Sequence, residues 1–339
     1  MPKRSAKFMA ARDGSLRKAR AAKAFPLPEP RSLDPLPLNT EPVIRRGREA
    51  VTYHIPTSPF PPDTANHDQP TLKTTIALPR HSTWTSGLHF HTQHTEYLRL
   101  LRGCIFVYLD GEVKILSAKA GGDVGVYGIR RVKEGLEVEV PRYARHNWGR
   151  AKEYLQANRS VGRRPRREQE TEDLNEEVVV EEWTDPADLG KPLFFWNLNG
   201  VITAPSTHIS ARQNLGRMVL GNWWIPFQLF VIFWDLDNWP VFLNMRNALE
   251  YRWPLCLRLR YRMPDWPICV GSRLEHWLEY LMTLVVLGAA KLLGLVLGVR
   301  AVEKKRMPVD LWEAYSQVPE EVEYKSPSTQ KLSLLTLRR

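Results

Sequence analysis

The feature that most restricts the fold is a series of short alternating segments between residues 50 and 145. They are Val51-Thr-Tyr-His-Ile55, Thr74-Thr-Ile-Ala-Leu78, Glu96-Tyr-Leu-Arg-Leu-Leu101, Cys104-Ile-Phe-Val-Tyr-Leu109, Glu112-Val-Lys-Ile-Leu116 and Leu136-Glu-Val-Glu-Val140. Gly103, Asp110-Gly111, Gly121-Gly122 and Gly135 stand between them as turn residues. No helical period runs through the stretch. Many short strands at regular spacing predict an antiparallel sandwich or barrel. Residues 151–177 interrupt the pattern with an arginine block (Arg159, Arg163, Arg164, Arg166, Arg167) followed by an acidic block (Glu168, Glu170, Glu172, Asp173, Glu176, Glu177). Such a block cannot bury enough apolar surface to order itself and reads as a long solvated loop inserted into the barrel. Val178-Val-Val-Glu-Glu-Trp183 resumes the sheet, and Lys191-Pro-Leu-Phe-Phe-Trp-Asn-Leu-Asn-Gly200 reads as a closing strand or turn.

Within this region stands Gly87-Leu-His89-Phe-His91-Thr-Gln-His94-Thr-Glu96. Alternate residues of a strand share a face, so His89 and His91 point the same way while Phe90 points to packing. Glu96 follows a short polar turn and can return to that face on the neighbouring strand. The segment Gly135-Leu-Glu-Val-Glu-Val-Pro141-Arg-Tyr-Ala-Arg-His146 supplies a further imidazole at the start of another strand. His89, His91, Glu96 and His146 then form a candidate His₃Glu site. Imidazole with carboxylate suits a divalent first-row metal, iron before manganese, zinc or nickel. A buried Glu96 without a metal or cationic partner would be costly. His94 and His81 read instead as satisfied core histidines, and Tyr108, Tyr127 and Trp148 as core or pocket-lining aromatics.

These residues resemble the cupin superfamily. Its first motif, G-x5-H-x-H-x3,4-E-x6-G, is matched from His89 to Gly103, although Thr83 stands at the position of the leading glycine. Its second motif, G-x5-P-x-G-x2-H-x3-N, is matched at Gly135, Pro141 and His146, whereas Tyr143 replaces the turn glycine and Arg150 the asparagine. The resemblance covers residues 50–200. It implies an all-β cupin jelly-roll barrel whose metal ligands are His89, His91, Glu96 and His146, with Glu96 also the candidate catalytic group. With Phe194-Phe-Trp-Asn-Leu-Asn and the apolar C-terminal stretch, the chain looks like the cupin-domain oxidoreductases of fungal clusters that make salicylaldehyde-type polyketides. That likeness implies redox tailoring or cyclisation-aromatisation of a hydrophobic small-molecule substrate, alongside a polyketide synthase and short-chain dehydrogenases. A non-redox metal cupin (isomerase or dehydratase) and a membrane-anchored ligand-binding or scaffold cupin are the competing readings.

The remaining segments read as additions to the barrel. Residues 1–49 form a basic, Pro-rich arm predicted to be disordered; residues 1–24 carry eight Lys and Arg against Asp13 alone. No apolar segment of a secretory signal follows them. Cys104, Cys256 and Cys269 are too few for a disulfide framework and wrongly spaced for a zinc motif. There is no G-x-G-x-x-G and no G-x-x-x-x-G-K, so no nucleotide cofactor site is expected.

Residues 201–339 are Trp-rich and predicted helical. Within them Tyr280–Val299 is an apolar stretch of twenty residues whose one charge is Lys291. Its length reaches about 30 Å, the thickness of a bilayer core. Met218–Trp234 is uncharged, with Trp223 and Trp224 near its start. Between the two runs, arginines (Arg246, Arg252, Arg258, Arg260, Arg262, Arg273) alternate with Trp239, Trp253, Trp266 and Trp277, as in an interfacial segment. The expectation is a membrane-associated extension, single-pass or monotopic, with the barrel on the cytosolic side. A helical extension docked on the barrel is the other reading. The net charge of +11 thus lies mostly in the arm and in these scattered arginines, and points to lipid rather than to nucleic acid.

Overall fold

The computed structural model describes residues 27–59, 72–124, 135–151, 176–203, 210–242 and 268–317, with side chains of the last segment from His276 onward. The basic arm (1–24), the inserted charged segment from 152 to 175, Tyr127 and the Arg/Trp stretch from Arg246 to Trp266 lie outside the described residues.

Two six-stranded antiparallel sheets form the body of the molecule. In chain order the strands are β1 (Thr40–Arg45), β2 (Val51–Pro56), β3 (Thr74–Leu78), β4 (His89–Phe90), β5 (Thr95–Arg102), β6 (Cys104–Leu109), β7 (Glu112–Ser117), β8 (Gly122–Asp123), β9 (Glu137–Val140), β10 (His146–Arg150), β11 (Val178–Asp185) and β12 (Trp239–Pro240). One sheet runs β1-β2-β3-β11-β5-β9 and the other β12-β4-β10-β6-β7-β8. The double sheet fits a cupin jelly-roll. Between the sheets the inward positions are Ile55, Ile76, Leu98, Leu100, Ile105, Val107, Trp148 and Val180, all at most 1% exposed.

Gly122, expected in a turn, opens β8, and Trp239, expected in an interfacial segment, opens β12 and is buried; two larger departures concern β1 and the first helix. The segment Thr40–Arg45, assigned to the arm, is β1, paired with β2 from Thr40↔Pro56 to Arg45↔Val51. Pro42 masks it in sequence; a proline lacks the N–H of a central strand but is tolerated at a sheet edge, which is where β1 lies. The run Lys191–Gly200, expected as a strand or turn, lies within helix α1 (Gly190–Thr203). An apolar run of this length fits a buried helix as well as a buried strand, and periodicity cannot separate them. In the helix Asp188 Oδ1 accepts from Gly190 N at 2.7 Å, Leu193 N donates to Leu189 O at 3.0 Å, and Asn197 and Asn199 satisfy their buried amides on the carbonyls of Leu193 and Phe195. Its ring Phe195 packs on Tyr53 at 5.2 Å, which is why β2 is buried on both faces.

After α1 come α2 (Ala211–Leu220), a 3₁₀ turn (Gly221–Trp223), α3 (Trp224–Asp235), then β12, α4 (Ile268–Leu297) and α5 (Val309–Gln317). Ser210 and Gln213 cap α2 reciprocally. Val231, Ile232, Ala290, Val299 and Leu311 belong to the same core cluster as Val51, Ile76 and Val180. Helix α4 contains the segment His276–Leu297, long and apolar enough to cross a membrane, with 22% of its most apolar window buried. Within His276–Leu297 the charged residues are engaged by protein: Glu279 pairs with Arg145 of the barrel, and Lys291 Nζ lies 2.5 Å from Asp235 of α3.

A candidate metal centre between the two sheets

Register brings the four residues together. His146 opens β10 directly opposite His89 of β4. His91 follows β4 with its ring 5.2 Å from both His89 and His146. Glu96 comes from the other sheet, on β5, where it shares the inward face with Leu98 and Leu100. Thus a carboxylate occupies a core position, 1% exposed. One ligand atom from each of His89, His91, Glu96 and His146 lies within 4.8 Å of the other three.

The outer nitrogens fix the tautomers. His89 Nδ1 lies 2.8 Å from Gly87 O, His146 Nδ1 lies 3.0 Å from Ala144 O, and His91 Nδ1 meets Asp237 O. A carbonyl only accepts, so each Nδ1 donates outward and each Nε2 is left facing the cluster. Burial, and then the neighbouring His146 and His91, hold the pKa of His89 well below the usual imidazole value, so it is neutral. His146 Nε2 is 2.6 Å and His91 Nε2 is 3.4 Å from Glu96 Oε2. None of these three buried atoms has a hydrogen-bond partner. Buried polar atoms that face one another without hydrogen-bond partners are costly, and a shared cation would resolve the conflict. The donor set therefore fits a divalent metal.

The other oxygen of Glu96 is taken. Lys191 of α1 bonds Glu96 Oε1, and its Nζ is 3.4 Å from Glu182 Oε2 on β11. Glu182 Oε1 in turn accepts from Trp148 Nε1 at 2.6 Å. Burial works to raise the pKa of Glu96, but the charge of Lys191 and the two histidines outweigh it and keep the carboxyl well below the ordinary range. Burial raises the Glu182 pKa, with Lys191 opposing. Lys191 remains an ammonium: desolvation disfavours its charge, and Glu182 and Glu96 more than compensate.

The departures from the two motifs have local explanations. Tyr143, in place of the turn glycine, adopts φ +65° and donates its N–H to His91 O at 2.7 Å. Arg150, in place of the asparagine, donates to Leu78 O at 2.9 Å and Glu176 O at 2.5 Å, and burial lowers its pKa to about 10. Gly103 is required: at φ +80° an added Cβ would lie 2.8 Å from Glu177 O. His94 is a satisfied buried histidine, 2.8 Å from Asp237 Oδ2 and 3.0 Å from Asp188 Oδ2. Trp148 is a core aromatic, fully buried against Trp84. Tyr108 is half-buried on β6.

Lys191, Glu182 and Asp237 were not singled out from sequence. Glu182 carried a signal: it shares strand parity with Val178 and Val180, so it must face the core. Lys191 and Asp237 carried only the general one that a charge inside an apolar run needs a partner.

No family model and no curated protein matches the chain. Among solved structures it is similar to KdgF from Halomonas sp., at 13% identity and TM-score 0.21, over 40% of this chain and 77% of that one. It is similar to an RmlC-like cupin from Shewanella frigidimarina at 14% identity and TM-score 0.22, over 43% and 83% of the two chains. The CENP-C cupin domain of Drosophila melanogaster gives 10% identity and TM-score 0.23, over 43% and 76%. At such scores the likenesses carry no argument, and the site stands on its own geometry.

Proposed function

We propose that the chain is a metal-dependent cupin oxidoreductase that tailors an oily, polyketide-type small molecule by a redox or cyclisation-aromatisation step. The observation that carries the metal is the convergence of two imidazole Nε2 atoms and Glu96 Oε2, buried and without a hydrogen-bond partner. The polyketide assignment, and with it functional partners such as a polyketide synthase and short-chain dehydrogenases, is supported by the sequence likeness alone. His89, His91, Glu96 and His146 would hold the ion. Bound iron would supply redox chemistry, and zinc, manganese or nickel Lewis-acid chemistry. Lys191 occupies Oε1 and leaves Oε2 of Glu96 facing the imidazoles. The same Oε2 is the carboxylate atom that could take up a proton in the reaction. The buried walls, Trp148 and Phe195 among them, exclude water.

The test is metal content and oxygen uptake of the purified protein, with the intermediate that accumulates in a deletion strain. Iron with oxygen uptake supports the reading. Zinc or nickel without oxygen demand replaces it with an isomerase or dehydratase. Product formation that survives His89→Ala with His146→Ala replaces it with a scaffold or ligand-binding protein.

The same reading places the barrel on the cytosolic surface of a membrane, with α2, the 3₁₀ turn and α4 in the lipid interface. Leu215, Met218, Val219 and Trp223 are exposed beside Arg212 and Arg217, and Leu281, Val285, Leu292, Leu295 and Val296 are exposed along α4. Apolar side chains rimmed by cations and a Trp suit an anionic bilayer surface. The opposite face of α4 lies on protein: Thr283 bonds Pro240 O at 2.9 Å, and Lys291 is held by Asp235. That favours a monotopic arrangement over a single span. Flotation with anionic vesicles tests it; Leu292→Glu with Val296→Glu should abolish flotation, and unchanged flotation would refute the lipid face.

A further inference from the structure

We infer that Asp237, in the turn between α3 and β12, is the positioning residue of the metal centre, so that the C-terminal region builds part of the site; the inference rests on the metal reading above. Asp237 lies some 140 residues from the ligands it serves and is 2% exposed. Its backbone is left-handed at φ +50°, which aims its carbonyl and its carboxylate at the same segment. The carbonyl accepts from His91 Nδ1 and so fixes the tautomer that turns Nε2 inward. Oδ1 accepts from Thr92 N and Thr92 Oγ1, both at 2.7 Å. Oδ2 accepts from Gln93 N at 2.8 Å, His94 N at 3.1 Å and His94 Nδ1 at 2.8 Å.

Five donors thus converge on one carboxylate, about the capacity of its lone pairs. Three are consecutive peptide N–H groups of the connector that joins the two ligand strands. This is an anion-binding nest closed on an internal side chain. The connector leaves β4 after Phe90 and enters β5 at Thr95, just before Glu96, and Asp237 holds its path between them. The neighbouring residues lay the strap alongside. Trp239 pairs with Phe90, Pro240 with His89, and Val241 N donates to Leu88 O at 2.9 Å. Asp237 therefore acts on the ion through His91 and through the spacing of His89 and Glu96, without touching it.

The test uses the full chain, stripped of metal and titrated with Mn²⁺ and with Co²⁺, read by calorimetry and, for cobalt, by its visible absorption. Asp237→Gly suits the left-handed backbone, keeps the carbonyl and deletes the carboxylate. Asp237→Asn keeps an acceptor for Thr92 but presents an NH₂ to the three remaining donors. Loss of an outer-shell partner weakens metal binding roughly 10- to 100-fold, and both variants should show that loss with a shifted cobalt spectrum. Asp235→Asn, two residues away, loosens the α3–α4 ion pair instead and should leave affinity within about twofold of wild type. If Asp237→Gly and Asp237→Asn also bind within that range with an unchanged cobalt spectrum, Asp237 is not a positioning residue. If Asp235→Asn weakens binding as much as they do, the effect is general loosening and the inference also falls. Failure of the wild type to bind either ion would overturn the metal reading itself, and is distinguishable from both.

Discussion

Lys191→Met removes a buried ammonium while keeping the length of the side chain. In the folded protein it leaves Glu96 and Glu182, 1% and 3% exposed, facing each other without a cation. At an effective dielectric of about 20, the attraction between Nζ and Glu182 Oε2 across 3.4 Å is about 5 kcal/mol. Removing one partner from a buried ion pair costs about 3–5 kcal/mol, because the remaining charge stays desolvated. At about 2–4 °C per kcal/mol for a protein of this size, the melting temperature falls by on the order of 10 °C. Urea unfolding and thermal melts of the metal-free protein at pH 7 measure the loss. The double variant Lys191→Met with Glu182→Gln should recover about 2 kcal/mol, since Gln removes the stranded charge and still accepts from Trp148. A loss below about 1 kcal/mol, or no recovery in the double variant, would refute the charge triad.

Gly103→Ala forces a Cβ to 2.8 Å from Glu177 O at φ +80°, and should lower stability by about 2 kcal/mol in denaturant unfolding. Tyr143 sits at φ +65°, so Tyr143→Val, β-branched, should cost about 1–2 kcal/mol, whereas Tyr143→Gly should cost nothing measurable; equal losses would show that the ring, not the turn, matters. Burial opposes the charge on His94, but Asp188 and Asp237 outweigh it and raise its pKa from 6.5 to about 9. A raised pKa stabilises the fold fully below pH 6.5, and that contribution is lost as pH rises through about 9. The loss is roughly 3 kcal/mol, and Asp188→Asn should flatten the slope of stability between pH 7 and 10.

What could be read from the sequence follows the range of the interaction that decides it. The strands Thr74–Leu78 and Cys104–Leu109 were located to the residue, since strand period and turn glycines are local signals. The alternation of His89 and His91 was legible as two imidazoles on one side, whereas Glu96, expected to return to that face on a neighbouring strand, reaches the cluster from the facing sheet. The helix α1 was not, because its apolar run fits a strand equally well and its packing on Tyr53 of β2 is a long-range contact. Nor was β1, whose Pro42 is allowed only by its edge position. Asp237 illustrates the limit: its six contacts to residues 91–94 cross more than 140 positions, and no spacing encodes them.

The long-range contacts also change what the C-terminal region is. A detachable anchor would touch the barrel through its surface. Here α3 presents Asp235 to Lys291 of α4 and, two residues on, Asp237 to His91 and its connector. Glu279 of α4 closes the arrangement by pairing with Arg145, the residue before His146. Two points along α4, Glu279 and Lys291, are therefore tied to residues that neighbour a candidate ligand or Asp237. A small cavity opens beside the cluster, lined by His91, Lys191, Phe194, Leu236 and Asn238, between α1 and the turn that carries Asp237. On the proposed reading, the apolar side chains of that cavity and the lipid-facing side of α4 belong to the same connected unit.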